Sequence, residues 1–164
     1  MENYICINGK KAELTEEQMK ALGIELPKAS PFSRNKINYD KYYYIGSEGS
    51  VYSECDNHGN FNDSQFDAAN YCTDKAIMEQ RALHETLNRL LWRYSMEHDG
   101  DKINLNNNSV FRFAIKKTSS GAWNTFPTNG KLFGVPMFTT LKVAENAIEE
   151  IIKPFMEKHP EFKF

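Results

Sequence analysis

The sequence predicts an α+β fold, an antiparallel sheet with two main helices arranged as tandem ββ(β)α units behind an N-terminal β-hairpin and short helix. Two stretches repeat one order: strand, turn, strand, polar loop, short strand, threonine, helix. Apolar residues recur at helical spacing after each of those threonines. Near the start, Asn8-Gly9 separates two short segments and is a strong hairpin signal, because both residues tolerate positive φ.

Tyr4-Ile5-Cys6-Ile7 reads as the first strand and Lys10 to Leu14 as its return. Thr15 then reads as an N-cap, with Gln18 completing a capping box and Glu16 and Glu17 favouring the positive end of a short helix that Gly23 closes. A unit of this size, residues 1–26, cannot hold a core alone and must dock on something. Residues 27–41 carry Pro27, Pro31, two serines and Asn35 without periodicity, and read as a linker or arm.

The tandem domain is expected over 42–164. Its first unit, 42–101, runs Tyr42 to Ile45, a Gly-Ser-Glu-Gly turn, Val51 to Ser53, a polar loop, Asn70 to Cys72, then Thr73 and a helix. The second, 102–164, runs Val110 to Ile115, a Ser-Ser-Gly turn, Ala122 to Asn124, a loop, Pro136 to Phe138, then Thr139 and a helix. The hairpins align at an offset of 70 and the helix starts at 66, where Thr73, Ile77, Glu79 and Gln80 match Thr139, Val143, Glu145 and Asn146. Each unit offers a one-sided hairpin and an amphipathic helix, and neither buries its apolar face without the other. The first helix, Asp74 to His98, would span roughly 37 Å, with Ile77, Leu83, Leu87, Leu90, Leu91 and Tyr94 as its apolar stripe. Arg81, Glu85 and Arg89 fall on another face as an ion ladder. The last helix begins near Thr140, and Pro154 should kink or end it, leaving Phe155, Phe162 and Phe164 to anchor the tail.

Composition narrows the class. With 164 residues, 40% hydrophobic and 26% charged, the chain suits one domain or two very small ones. Nine glycines, six prolines and 13% aromatics exclude collagen-like, mucin-like and bulk-disordered chains. No apolar run approaches the roughly 20 residues of a bilayer span, and Met1 to Tyr4 lacks the layout of a signal peptide. Three scattered cysteines, Cys6, Cys55 and Cys72, make no disulfide framework and suit a reducing cytoplasm.

The net charge of −2 hides a strong polarity. From Tyr42 to Asp74 there is no Lys or Arg, but Glu48, Glu54, Asp56, Asp63, Asp67 and Asp74 are present. From Lys102 to Lys142 there is no Asp or Glu, but Lys102, Arg112, Lys116, Lys117, Lys131 and Lys142 are present. Three readings account for this: compensation across neighbouring sheets, head-to-tail self-association, or a functional face on one unit. As a partner face, the acidic unit offers Glu48, Glu54, Asp56, Asp63 and Asp67 with Phe61 and Phe66. As a nucleic-acid face, the basic unit offers Arg112, Lys116, Lys117, Trp123 and Lys131.

Reactive constellations are weak. Cys55-x-x-His58 is half a metal motif or a nucleophile dyad without an orienting third group. Asp56 to Asp67 loosely imitates a calcium loop, but Phe61 stands where glycine is needed and position 12 is Asp67 rather than glutamate. No phosphate-binding loop, dinucleotide fingerprint, nucleophile elbow or H-E-x-x-H occurs. No metal, cofactor or catalytic residue is expected, although a small hydrolase or metalloenzyme around Cys55 and His58 stays a third reading.

The segments Ile7-Asn8-Gly9-Lys10-Lys11, Leu14 to Gln18, Tyr42 to Ile45, Met78 to Ala82 and Leu87 to Arg93 resemble a group of small proteins from phages and mobile elements of Firmicutes bacteria. That resemblance implies a bacterial cytoplasm and a genetic neighbourhood of defence inhibitors and accessory replication factors. The expected function is then a non-enzymatic binding protein that blocks or modulates a host protein or ribonucleoprotein, such as an antiviral CRISPR-type effector. The alternative is a nucleic-acid or nucleotide-binding accessory protein using the basic unit. No membrane partner is expected, and self-association stays open.

With its net charge of −2, the protein should bind duplex DNA no more tightly than micromolar at physiological salt. A sub-micromolar, salt-sensitive affinity in a filter or anisotropy titration, lost in a Lys116→Glu, Lys117→Glu variant, would contradict this and promote the basic unit.

Overall fold

The computed structural model describes residues 4–7, 10–23, 30–34, 39–99, 111–130, 132 and 134–163. The chain divides into two compact units, 1–33 and 34–164, and the division falls inside the stretch read as a linker. The smaller unit contains strands β1 (Tyr4–Ile7) and β2 (Lys10–Glu13), paired antiparallel, and helix α1 (Glu16–Ala21). The capping box forms as the sequence requires. Thr15 Oγ1 accepts the Gln18 N–H at 3.2 Å, and Gln18 Oε1 accepts the Thr15 N–H at 2.9 Å. Gly23 follows the helix at φ +69, and the Asn8-Gly9 turn lies outside the described residues.

The larger unit is built on α3 (Lys75–Asp99). Before it come β3 (Lys41–Ile45), β4 (Val51–Cys55) and a helix α2 (Asn60–Asp67). After it come β5 (Phe111–Lys117), β6 (Trp123–Asn129), α4 (Leu141–Ala147), a π-helical segment (Ile148–Ile152) and α5 (Lys153–Lys158). The fold is α+β, with each hairpin an antiparallel two-stranded sheet of its own.

The repeat inferred from the sequence has a backbone counterpart. Tyr43 exchanges both of its backbone hydrogen bonds with Cys72, at 2.7 and 3.0 Å. Phe113 does the same with Phe138, at 2.9 Å each. These bridges are the short third strands, and their partners sit at the two expected offsets, 70 and 66. The helix caps lie one residue later than expected. Asp74 Oδ1 accepts the Ile77 N–H at 3.1 Å, and Thr140 Oγ1 accepts the Val143 N–H at 3.2 Å, so Thr73 and Thr139 each precede the cap.

Helix α3 supplies both halves with an apolar surface. Its first turns bury Met78 and Ala82 with Ile45 and Cys72, against partly buried Tyr43 and Val51 of the first hairpin. Its later turns bury Leu87, Leu91 and Tyr94 with Phe138, Ala144, Ala147, Ile148, Ile152, Phe155 and Phe162. The expected stripe is corrected at one end: Ile77 is exposed and Met78 faces inward in its place. The ion ladder is corrected too. Arg81 Nε pairs with Glu85 at 2.8 Å, but Arg89 turns to the Ser47 carbonyl at 3.1 Å. That contact seats the β3–β4 turn, where Gly49 has φ +93 and a Cβ would meet the Arg89 and Thr86 side chains at 2.7 and 2.8 Å.

Pro154 does not end the last helix, which continues to Lys158. The helical backbone is continuous through α4, the π-helical segment and α5, and the five π-helical residues directly before Pro154 take up its missing N–H and ring. Beyond α5, Phe162 enters the core, while Phe164 lies outside the described residues. Among the described residues no helix is long and apolar enough to cross a membrane.

Leu87 is 2% exposed at the centre of the larger cluster. Leu87→Ala should therefore cost about 2–5 kcal/mol in a denaturant melt, the range for a leucine truncated in a packed core. A loss below about 0.5 kcal/mol would mean that the stripe is misassigned.

Candidate functional site

Alternation along the first hairpin places Tyr42, Tyr44, Tyr52 and Glu54 on the face opposite α3, with Tyr44 opposite Tyr52 and Tyr42 opposite Glu54. Helix α2 covers part of that face. The stretch from Glu54 to Asp67, read from the sequence as a loop, contains this helix because polar side chains tie its start. Asn57 Oδ1 accepts the Gly59 N–H at 2.9 Å, and Asn62 Oδ1 accepts the Asn57 and Gly59 N–H groups at 3.3 and 3.2 Å. Asn62 Nδ2 donates to the Tyr42 hydroxyl at 3.0 Å, pinning the helix to the strand.

The aromatics form a run that begins buried and ends in solvent. Tyr42 stacks on Tyr71 at 4.3 Å, and both are buried. Tyr44 meets Tyr42 at 5.9 Å, Tyr52 at 5.8 Å and the edge of Phe61 at 5.4 Å. Tyr52 and Phe61 are 47% and 50% exposed. Phe66 turns back instead, edge-on to Tyr71 at 5.5 Å and beneath the Arg34 guanidinium at 5.7 Å. The two phenylalanines of the supposed loop therefore separate: Phe66 closes the interior, and Phe61 faces outward.

The acids separate in the same way. Glu48, Glu54 and Asp67 are exposed. The Tyr52 hydroxyl, with help from a backbone N–H, holds the Glu48 carboxyl below its ordinary value, and Glu48 in turn pushes the Tyr52 phenol up. Asp56 is corrected: it is fully buried and unavailable to a partner. Arg34 reaches its two oxygens through Nε and Nη2, each at 3.2 Å. The Tyr71 hydroxyl and the His58 N–H each donate to it at 3.0 Å. Asp63 is also occupied, by Arg34 Nη2 at 2.6 Å. Sequence reasoning missed Arg34, because nothing in a serine- and proline-bearing stretch marks one arginine as the counter-ion of a carboxylate 22 positions on.

The basic face is partly dispersed. Arg112 is buried, which removes it as a phosphate contact, and Lys131 lies outside the described residues. Lys116 and Lys117 stand over the Phe126 and Trp123 rings at 5.3 and 5.6 Å. Cys55 is exposed, and the His58 ring lies 3.9 Å from Asp56, so its charged neighbour is a carboxylate already held by an arginine. Among the described residues no group of three His, Cys, Asp or Glu is placed to hold a metal.

Burial alone would push the Asp56 carboxyl up, but the Arg34 bonds, the His58 N–H and the Tyr71 hydroxyl outweigh it and hold the group below its ordinary 3.8. Its folded value is thus depressed, so its stabilisation is present above the ordinary value and is lost as pH falls through the folded one. The melting midpoint should fall as pH drops below about 4. Asp56→Ala should lose on the order of 3 kcal/mol at neutral pH, with a flatter acid limb, because it strands a buried hydroxyl and an N–H. An unchanged acid limb in thermal melts of that variant would show that Asp56 is not the group responsible. No family model, curated protein or solved structure matches the chain.

Proposed function

We propose that this chain is a non-enzymatic binding protein that presents the exposed end of its aromatic run, Tyr52 and Phe61 with Glu48, Glu54 and Asp67, to a basic surface of a macromolecular partner. The observation that carries the reading is the outward turn of two large aromatics inside a segment with six acids and no Lys or Arg. Aromatic anchors supply binding energy, and surrounding acids steer a basic partner and reject an acidic one. The hairpin beneath is fixed by α3 and by the Asp56 contacts, so the face is pre-organised and little ordering entropy opposes association. Inhibition by occupancy requires such a surface and no reactive group.

The setting is the cytoplasm of a bacterial host, and the partner is a host protein or ribonucleoprotein of antiviral defence, with a CRISPR-type effector as the leading candidate. A basic nucleic-acid groove on such an effector is the chemistry that this face complements. The phage and mobile-element context rests on the resemblance of the hairpin and long-helix segments described above. A second reading, nucleic-acid binding through the other hairpin, is favoured by one observation: Lys116 with Phe126 and Lys117 with Trp123 set two cation–aromatic pairs on one hairpin.

Expression of the chain in a bacterium whose CRISPR-type effector targets a plasmid should raise transformation by that plasmid at least tenfold. A Glu48→Lys, Glu54→Lys, Asp67→Lys, Phe61→Ala variant should lose that effect while its melting midpoint barely moves, since all four side chains are exposed. Equal activity of the variant and the parent would exclude this face, and no rise with either would exclude the defence partner.

A further inference from the structure

Each hairpin has a first strand bridged on its inner side, but the two differ at their outer edges. In an antiparallel strand, a residue's N–H and C=O point to the same side. Tyr43 directs both groups to Cys72, so it faces away from β4, and Ser53 opposite it must direct both of its groups outward. The same alternation turns Val51 and Cys55 outward. Ile45 confirms the phase: Asn70 Oδ1 accepts its N–H and Asn70 Nδ2 donates to its C=O, each at 2.9 Å, so this side-chain amide extends the inner ladder. Among the described residues no backbone group pairs with the outer edge of β4, and Tyr52 to Cys55 are exposed. The outward N–H of Cys55 reaches only the carboxylate of its neighbour Glu54, at 3.2 Å.

In the second hairpin, Phe113 bonds to Phe138 as Tyr43 does to Cys72, and the residue opposite it is Pro127. Pro127 therefore stands where Ser53 stands, with its nitrogen on the outer edge and no proton to donate. Proline at an outward position blocks strand pairing at an edge. One edge is closed, and its sister is open.

We propose that the open edge of β4 is a strand-addition site for an extended, basic segment of another protein. This rests on the binding face proposed above and specifies how that face is engaged. Charge selects the occupant. A second copy could offer its own β4, from a stretch with six acids and no Lys or Arg that repels its like, or its basic hairpin, whose outer edge Pro127 obstructs. A foreign strand carries neither objection. Its residue opposite Ser53 exchanges two backbone hydrogen bonds with it and projects to the Val51 side, where a small apolar side chain fits. The residues before and after that one project beside Tyr52 and Glu54, where lysine or arginine meets a ring and carboxylates. The recognised pattern is basic, small apolar, basic, in extended conformation.

The probe is a short capped peptide of alternating lysine and valine, titrated into the full chain by calorimetry, with amide exchange followed by NMR. At saturation, the Ser53 amide should exchange at least tenfold more slowly. Ser53→Pro, which copies Pro127 and should leave the melting midpoint nearly unmoved, should weaken the peptide at least tenfold. The same peptide with N-methylated valines should weaken to the same degree against the parent chain, and it decides the matter if Ser53→Pro fails to fold. Undiminished binding of the N-methylated peptide, an unprotected Ser53 amide at saturation, or no binding of the lysine peptide overturns strand addition. Binding that survives N-methylation but is lost in a Glu48→Lys, Glu54→Lys variant overturns strand addition while sparing the acidic face. Concentration-dependent dimerisation in sedimentation, abolished by Ser53→Pro, overturns the foreign occupant in favour of a second copy.

Discussion

A two-stranded hairpin in water buries too little apolar surface to hold itself together, and among its described residues the larger unit contains two of them, each a sheet of its own. What both require is a helix to lie on, and the long helix α3 joins the two cores by offering an apolar stripe on each half of its length. Met78 and Ala82 serve the first hairpin, and Leu87, Leu91 and Tyr94 serve the second hairpin with α4 and α5. Neither hairpin–helix pair is therefore self-sufficient. The first hairpin lies on α3, the second lies on α4, and α3 packs against α4, so the two helices close each other's remaining apolar surface. That division explains why the last helix is apolar enough to bury Ala144, Ala147, Ile148 and Ile152 together, while α2 buries only Asn62.

The opposite face of the first hairpin is held by polar chemistry instead. Asp56 gathers four donor contacts from three residues, two of them side chains brought from 22 and 15 positions away. A fully buried carboxylate with such a set of partners fixes geometry more than it adds stability, because its desolvation offsets much of the attraction. The consequence is a rigid seat for Tyr42 and Tyr71, from which Tyr44, Tyr52 and Phe61 extend toward solvent. The compensation expected between the acidic and basic units is in part internal to the first. Arg34, from a stretch that looked like a connector, neutralises two of its acids and leaves Glu48, Glu54 and Asp67 at the surface.

Local chemistry made much of this fold legible. The Thr15 and Gln18 capping box, the offsets of 70 and 66 at the two bridges, and the length of α3 all follow from neighbouring residues, and all appear, whereas the second return strand pairs at an offset of 74. The third strands were legible as well, although each is a single bridge. What stayed hidden depends on contacts between distant positions. Asn62 capping from within a polar run gives α2 no apolar period to betray it, so the segment looked like a loop. Asp56 and Arg112 carry full charges, and only the partners that fold around them show that they are interior. Ile77 and Met78 are adjacent and both apolar, and the choice between them turns on the phase with which α3 meets the first hairpin. The unequal outer edges were beyond reach until the bridges fixed which backbone groups face out.

Gln80 fastens the tail as one peptide unit of a strand would, donating to the Glu161 carbonyl at 2.9 Å and accepting the Lys163 N–H at 2.7 Å. These bonds span 81 and 83 positions of sequence, and Phe162 enters the cluster around Leu87 and Leu91 beside them. During synthesis, then, the first hairpin and α3 emerge from the ribosome long before the residues that seal the helix. Met78 and Ala82 can be covered at once by the hairpin made before them, but Leu87, Leu91 and Tyr94 must wait in water or in the care of a chaperone until Phe138 to Phe162 have been made, so this half of the fold closes late.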